Sequence, residues 1–340
     1  LRSLFLVALF IRDYIHQSVI NHGADNDSSM KLSGCCSYSM QARASSSMAK
    51  HVRQKGKVVF IVGPTGTGKS RLAIDLAMRY PAEIINCDKI QVHRGLDIVT
   101  NKVTKEECRG VPHHLLGTFD PSVDLTAEEF AVNAAGVITS LVMRDKLPIV
   151  VGGSTSYIKA LAAAATSAGD RDFRLRYDCC FLWVDVALPV LRPFLFQRVD
   201  SMVENGLIEE VRKTFEFGNG DYTQGIRRAI GVPEMDYYFR HELFLNEERR
   251  RKALHGAVLR IKENTCSLAL KQLQNIHNLR AIWRWNIHRI DATEAFIRSG
   301  GDADVAWEKF VLAPSASIID HFLRVPALGE MTLRAVAGRR

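Results

Sequence analysis

The stretch KVVFIVGPTGTGKS, Lys57 to Ser70, restricts the fold more than any other part of this 340-residue chain. Val58, Val59, Phe60, Ile61 and Val62 form an unbroken apolar run, the pattern of a strand buried on both faces in a parallel sheet. A turn of the form G-x-x-x-x-G-K-S follows at once, and RLAIDLAMRY then reads as a helix. Glycines at 63, 66 and 68 let successive backbone N–H groups converge on a multiply charged phosphate. Lys69 adds a cation, and the Ser70 hydroxyl can hold a magnesium ion at the helix start. Strand, glycine turn and helix in this order predict an α/β fold of the P-loop NTPase kind, a parallel sheet flanked by helices. On its own the turn says only that a di- or triphosphate binds.

The rest of the chain supplies further strands and turns for the same sheet edge. EIINCD reads as a second buried strand with Asp88 at its C-terminal end, where open α/β sheets put reacting groups. A carboxylate there serves as a magnesium ligand, a general base or a loop turn. The polar loop that follows carries Arg94, Lys102, Lys105, Arg109, His113 and His114 and is expected to face substrate, although a lone histidine is more often structural. Thr126 is a helix cap with Glu128 and Glu129 behind it, and Phe130, Ala134, Val137, Ile138 and Leu141 recur at helical spacing up to Met143. LPIVVGGSTSYIKAL predicts a third strand, a glycine turn bearing Ser154, Thr155 and Lys159, and a helix. DCCFLWVDVAL predicts a fourth strand. The long helix after it has Pro193 as a point of interruption. Arg227 and Arg228 precede a glycine turn; such a pair is either a solvated patch or a grip for diphosphate oxygens. A strongly basic amphipathic helix from Asn246 to Leu279, a short strand in WNIHRIDAT with Trp283 and Trp285 as packing residues, and a helix from Ala306 to Phe322 complete the chain.

Lys and Arg total 45 against 37 Asp and Glu, an excess of 8 that suits anionic substrates and RNA alike. Seven cysteines occur with no C-x-x-C pair and no H-x-x-x-H, which speaks against zinc and for reduced thiols. Leu4 to Ile11 is apolar but far below the roughly 20 residues of a membrane span. From Ser28 to Lys57 there are six basic residues, many serines and no acidic residue, a composition that fits an organellar transit peptide or a disordered tail. The expected division is a leader at 1–56, an α/β core at 57–240, a smaller helical region with a short returning strand at 241–325, and a tail at 326–340.

Taken in order, GPTGTGKS, EIINCDKIQV, GVPHHLLG, DLTAEEF, VVGGSTSYIKAL, RYDCCFLWVDV, GIRRAIGVPE, KENTCSLALKQLQ and HRIDAT resemble the plant adenylate isopentenyltransferases, which begin cytokinin synthesis and are related to the tRNA dimethylallyltransferases. The resemblance runs from Lys57 to Phe322. It implies transfer of a dimethylallyl group from dimethylallyl diphosphate to N6 of the adenine of ATP, ADP or AMP, with Mg2+ as cofactor and diphosphate as the leaving group. Gly63, Pro64, Thr65, Gly66, Thr67, Gly68, Lys69 and Ser70 would then hold the donor, with Ser154, Thr155 and Lys159 beside them. Asp88 matches the family's general base, and Arg228, with Lys69, matches the cations that stabilise the leaving group.

The resemblance also bears on the acceptor. In the tRNA enzymes a helical insertion of some tens of residues follows the second glycine turn, whereas here only Ala162 to Tyr177 lies before the next strand. The C-terminal zinc finger of the eukaryotic tRNA enzymes is missing too. A free nucleotide is the expected acceptor and tRNA the alternative. Arg94, Lys102, Lys262 and Lys271 are candidate contacts for the nucleotide's phosphates. A nucleoside kinase or a non-catalytic nucleotide switch would share the cradle but not the series of motifs. The chain departs from the family in having Cys87 for a serine, His93 for a tyrosine and a short, alanine-rich 162–177 segment in place of an acidic stretch. A monomer in the plastid is expected, with cytoplasm or mitochondrion as the alternative, and no membrane partner.

Overall fold

The computed structural model describes residues 55–163, 173–282 and 286–325. Most of the expected leader, the 164–172 part of the alanine-rich segment, Trp283, Trp285 and the tail at 326–340 lie outside these residues.

β1 (Gly56–Val62) is the predicted buried strand. Val59 and Ile61 join one apolar layer with Leu72, Ile84, Ile149 and Leu182. Val58, Phe60 and Val62 join another with Phe130, Ile138, Val150 and Trp183. Burial on both faces is why the strand carries no alternating polar residue. The chain continues through α1 (Lys69–Ala77), β2 (Ala82–Asn86) and a two-residue β3 (His113–His114). It then forms α2 (Ala127–Met143), β4 (Leu147–Gly152), α3 (Thr155–Ala163), α4 (Phe173–Arg176) and β5 (Tyr177–Asp185). The sheet is completed by β6 (Ile287–Asp291), in the order β3-β2-β4-β1-β5-β6 with every pair parallel. β1 lies between β4 and β5, and the chain leaves it for β2 on the far side of β4. The crevice at the C-terminal ends of these strands is where such sheets bind ligands.

α2 starts where its cap predicts. Thr126 Oγ1 accepts from the Glu129 amide at 3.1 Å, and the Glu129 carboxylate accepts from the Thr126 amide at 2.9 Å. The expected interruption at Pro193 does not occur. α5 (Leu188–Glu204) runs through it, since Pro193 and Pro189, whose carbonyl would lose its partner, are both exposed. The helical run breaks instead at Gly206 (φ 99), before α6 (Leu207–Arg212).

Beyond a 3-10 turn at Gly225–Arg228, α7 (Val232–His241) and α8 (Glu247–Ile282) build a third core around Leu96, Val199, Leu207, Met235, Phe239 and Ile261. α8 then crosses to the sheet, giving Ala269 to one layer and Ile276 and Leu279 to the other. The C-terminal helix begins earlier than expected, and a short α9 (Thr293–Ile297) precedes it. α10 (Gly301–Trp307) passes through a π-helical stretch at Glu308–Leu312 into α11 (Ala313–Arg324). Pro314, which lacks an N–H and cannot complete the regular ladder, stands just past the π turn. No helix among the described residues is long and apolar enough to cross a membrane.

Candidate active site

The glycines of the cradle are required by close approach. At Gly66 (φ 84) an added Cβ would come within 2.4 Å of Leu195 Cδ2, and at Gly68 (φ 87) within 2.6 Å of the Trp307 ring. Helix α5 and the C-terminal helix therefore wall the loop on two sides. Pro64 turns its carbonyl inward, where it accepts from Thr67 Oγ1 at 2.9 Å and from Lys69 Nζ at 2.7 Å. The Thr65 amide donates to Gln272 Oε1 at 2.7 Å, and Arg198 Nη2 donates to Thr65 Oγ1 at 3.1 Å.

The second turn is held equally closely. A Cβ on Gly152 would lie 2.0 Å from the Cys87 carbonyl oxygen, so the end of β4 abuts the end of β2. Gly153 meets the Gln272 amide, which thereby ties the second turn to the cradle. Asp88 follows β2 and accepts through Oδ1 from the amides of Ile90 (2.9 Å) and Gln91 (3.3 Å). One carboxylate oxygen thus holds the turn, and Oδ2 has no hydrogen-bond partner among the described residues.

These groups enclose a cavity of about 570 Å3. Of the predicted residues, Thr65, Gly66, Gly68, Lys69, Ser70 and Asp88 line it, while Gly63, Pro64 and Thr67 form the loop behind them. Gly152 and Gly153 line it too, but Ser154, Thr155 and Lys159 do not. Ser154 Oγ accepts from the Lys89 amide at 3.0 Å, and Thr155 is buried. Arg228 lies outside the cavity and pairs with Asp124 at 2.8 Å. Its charge acts on Tyr157, as that of Asp88 does, and burial above all holds the Tyr157 hydroxyl above its ordinary value.

Desolvation brings the Lys69 ammonium down to about 8, with Asp88 opposing the shift and the Arg198 guanidinium adding to it. Burial likewise raises the Cys87 thiol, so this substitute for serine is an inert packing group.

Arg94 and Lys102 line a larger groove, about 1410 Å3, that shares Ser70, Arg71 and Asn101 with the first cavity. Arg94 is paired with Asp120 at 3.4 Å and Lys102 with Asp97 at 2.7 Å. Lys262 pairs with Asp200 at 2.6 Å, and Lys271 is exposed on α8, outside these cavities. The two histidines of the polar loop are structural. They form β3, with His114 Nε2 2.7 Å from Glu83 and His113 Nδ1 2.8 Å from the Val111 carbonyl. His93 is fully buried with Nδ1 2.9 Å from the Asp120 carbonyl.

Sequence reasoning missed Gln272, Arg198 as a cavity group, and an aromatic wall of Phe194, Phe296 and Trp307. Gln272 lay within a quoted motif, KENTCSLALKQLQ, but its reach to the loop depends on how α8 crosses the sheet. Among the described residues no three His, Cys, Asp or Glu side chains converge on a metal position. A cation here would be held by Ser70, ligand oxygens and water, the coordination that Mg2+ favours.

The IPP transferase family profile matches residues 91–176 and 163–278. Adenylate isopentenyltransferase 5, chloroplastic, of Arabidopsis thaliana is 57% identical over 273 residues, 80% of this chain and 81% of the relative. The chain belongs to the adenylate isopentenyltransferases of the IPP transferase family. Within that family, the mitochondrial adenylate isopentenyltransferase 7 of Arabidopsis thaliana is 52% identical, over 79% of this chain and 80% of its own. Among solved structures, a tRNA isopentenylpyrophosphate transferase from Bacillus halodurans has a TM-score of 0.61 at 27% identity, covering 78% of this chain and 98% of that one. A eukaryotic dimethylallyltransferase acting on tRNA shares the fold, with a TM-score of 0.66 at 23% identity over 79% of this chain and 80% of that one.

Proposed function

We propose that the protein transfers a dimethylallyl group from dimethylallyl diphosphate to N6 of adenine in ATP, ADP or AMP and releases diphosphate. The observation that carries this reading is a single cavity holding the phosphate cradle, the Lys69 cation and the Asp88 carboxylate. The lone pair of adenine N6 is delocalised into the ring, so the amine is a poor nucleophile. Asp88 accepts its proton as the new N–C bond forms, help worth typically ~100- to 10,000-fold. The allylic C–O bond breaks toward a stabilised cation, and negative charge grows on the departing diphosphate. Lys69 stabilises that charge in advance of the transition state, and Arg228 joins it by exchanging its Asp124 partner. Gly63 to Ser70 hold the diphosphate, and Ser154 braces the second turn against Lys89. Ser70 would hold Mg2+, which supplies further positive charge against the diphosphate when bound.

Incubation with dimethylallyl diphosphate, Mg2+ and each nucleotide should give N6-prenylated product by mass spectrometry. Asp88→Asn should abolish turnover and leave donor binding nearly intact; turnover retained in that variant rejects the role. Transfer to an anticodon-adjacent adenosine of tRNA is the second reading, favoured by the activity named for the solved relatives. Prenylation of tRNA in preference to all three nucleotides would establish it. The relatives' chloroplastic and mitochondrial names support an organellar protein, with the plastid as our assignment, and imaging of a full-chain fluorescent fusion tests it. The protein is read as a monomer, which sedimentation equilibrium tests.

A further inference from the structure

Helix α5 lies along the cradle. Leu191 and Leu195 are buried under it, with Leu195 against Gly66, and the same helix places Phe194, Gln197 and Arg198 on the cavity wall. Arg198 is fixed at one end by its 3.1 Å hydrogen bond from Nη2 to Thr65 Oγ1. Its Nε is buried and has no hydrogen-bond partner among the described residues. No carboxylate forms an ion pair with it there either. Burial pulls the guanidinium down to about 10.

A desolvated guanidinium with neither counter-ion nor a full set of acceptors is costly, and removal of one partner of such a charge typically destabilises strongly. The cavity it lines already contains Lys69, a second desolvated cation, with Asp88 as its carboxylate neighbour. Two desolvated cations on one cavity wall, with Asp88 the only acid among its described lining residues, define a site for a polyanion.

We propose that Arg198 is a diphosphate-binding residue, its guanidinium donating to a phosphate oxygen of the prenyl donor while the hydrogen bond to Thr65 orients it. The assignment rests on the reading of this cavity as a prenyl-diphosphate site. The link to Thr65, a residue of the cradle, directs the guanidinium to the donor's phosphates and not to those of the acceptor. Because negative charge on the diphosphate increases as the C–O bond breaks, Arg198 acts on kcat as well as on donor binding.

The test uses the full chain and inorganic pyrophosphate, read by titration calorimetry and by the pyrophosphate-induced rise in Tm. Arg198→Met is expected to bind pyrophosphate about 10- to 100-fold more weakly, the loss of one charge-assisted hydrogen bond and its charge. Its Tm without pyrophosphate should stay level or rise, because an unpaired buried charge has been removed. Arg198→Lys should recover part of the affinity and decides the matter if the methionine variant fails to fold. With dimethylallyl diphosphate as donor, kcat should fall while KM for the nucleotide is unchanged.

Three results would overturn the assignment: unaltered pyrophosphate affinity in the variants, a lower Tm with an unaltered pyrophosphate-induced shift, or an effect confined to nucleotide KM. So would failure of the unaltered protein to bind pyrophosphate. The binding measurements need no prenyl transfer, so they stand whether or not the nucleotide assay succeeds.

Discussion

Lys69 gives the cavity a pH signature that a surface lysine would not have. Its folded value of about 8 lies below the ordinary 10.5, so it is charged below pH 8 and loses its proton as pH rises through that value. The native chain then binds fewer protons than the unfolded one between these values. The cost of holding the charge in the wall is present below pH 8 and relieved above it. A bound diphosphate favours the charged form, so its affinity should fall as pH rises through 8 and binding there should take up a proton. Calorimetry of pyrophosphate at pH 8.5 in buffers of different ionisation enthalpy checks this, with Lys69→Arg as the control that keeps its charge and should lose this uptake. Lys69 and Ser70 were legible from sequence because local order, strand then turn then helix, fixes where they stand, and Asp88 because it stands just past the end of a buried strand. Arg198 was not, since its place on the wall depends on the angle at which α5 crosses the loop. The strand formed by His113 and His114 was not legible for a related reason: a polar stretch conceals two residues of strand when the partner, β2, is remote in sequence.

Among the elements, α2 is the one whose sequence signals all agree. Thr126 caps it, Glu129 completes the reciprocal box, and Phe130, Ala134, Ile138 and Leu141 are buried along one face. Thr126→Ala should cost about 1 kcal/mol in chemical denaturation, a capping effect with no change in pyrophosphate affinity. Gly152→Ala should behave differently. Its Cβ meets a backbone oxygen at 2.0 Å, which cannot rotate away, so a loss of about 1–3 kcal/mol is expected along with displacement of Asp88 and weaker turnover. Denaturant unfolding beside a donor titration separates the two cases. Helix boundaries were less legible than helix existence. Gly206 ended α5 where Pro193 did not, because a proline near an exposed first turn forfeits only a solvated carbonyl, whereas Gly206 takes a left-handed φ.

At the scale of the molecule, the sheet apart from β3 was readable as buried hydrophobic runs, but the walls of the site come from chain far beyond the cradle. α1 and the turn that follows it are clasped by the C-terminal helices through Arg71 to Asp304 (2.7 Å), Arg79 to Glu308 (2.6 Å) and the Tyr80 hydroxyl to Asp320 (2.9 Å). Trp307, Val311 and Ile319 are buried in the layer shared with β1. Each such side chain is worth about 1.5–3 kcal/mol of burial. Deletion of residues 301–340 should therefore lower the midpoint of thermal unfolding substantially and remove pyrophosphate binding, as calorimetry would show.

The Trp307 ring resting on Gly68 also has a bearing on how the protein comes into being. A nascent chain presents the glycine loop more than 200 residues before it presents both groups that roof it, Gln272 and Trp307. Ligand capture must therefore wait until Trp307 has been made and folded back, and a proteolytic nick between the loop and Trp307 that sheds the later segment would leave the loop exposed and without its roof.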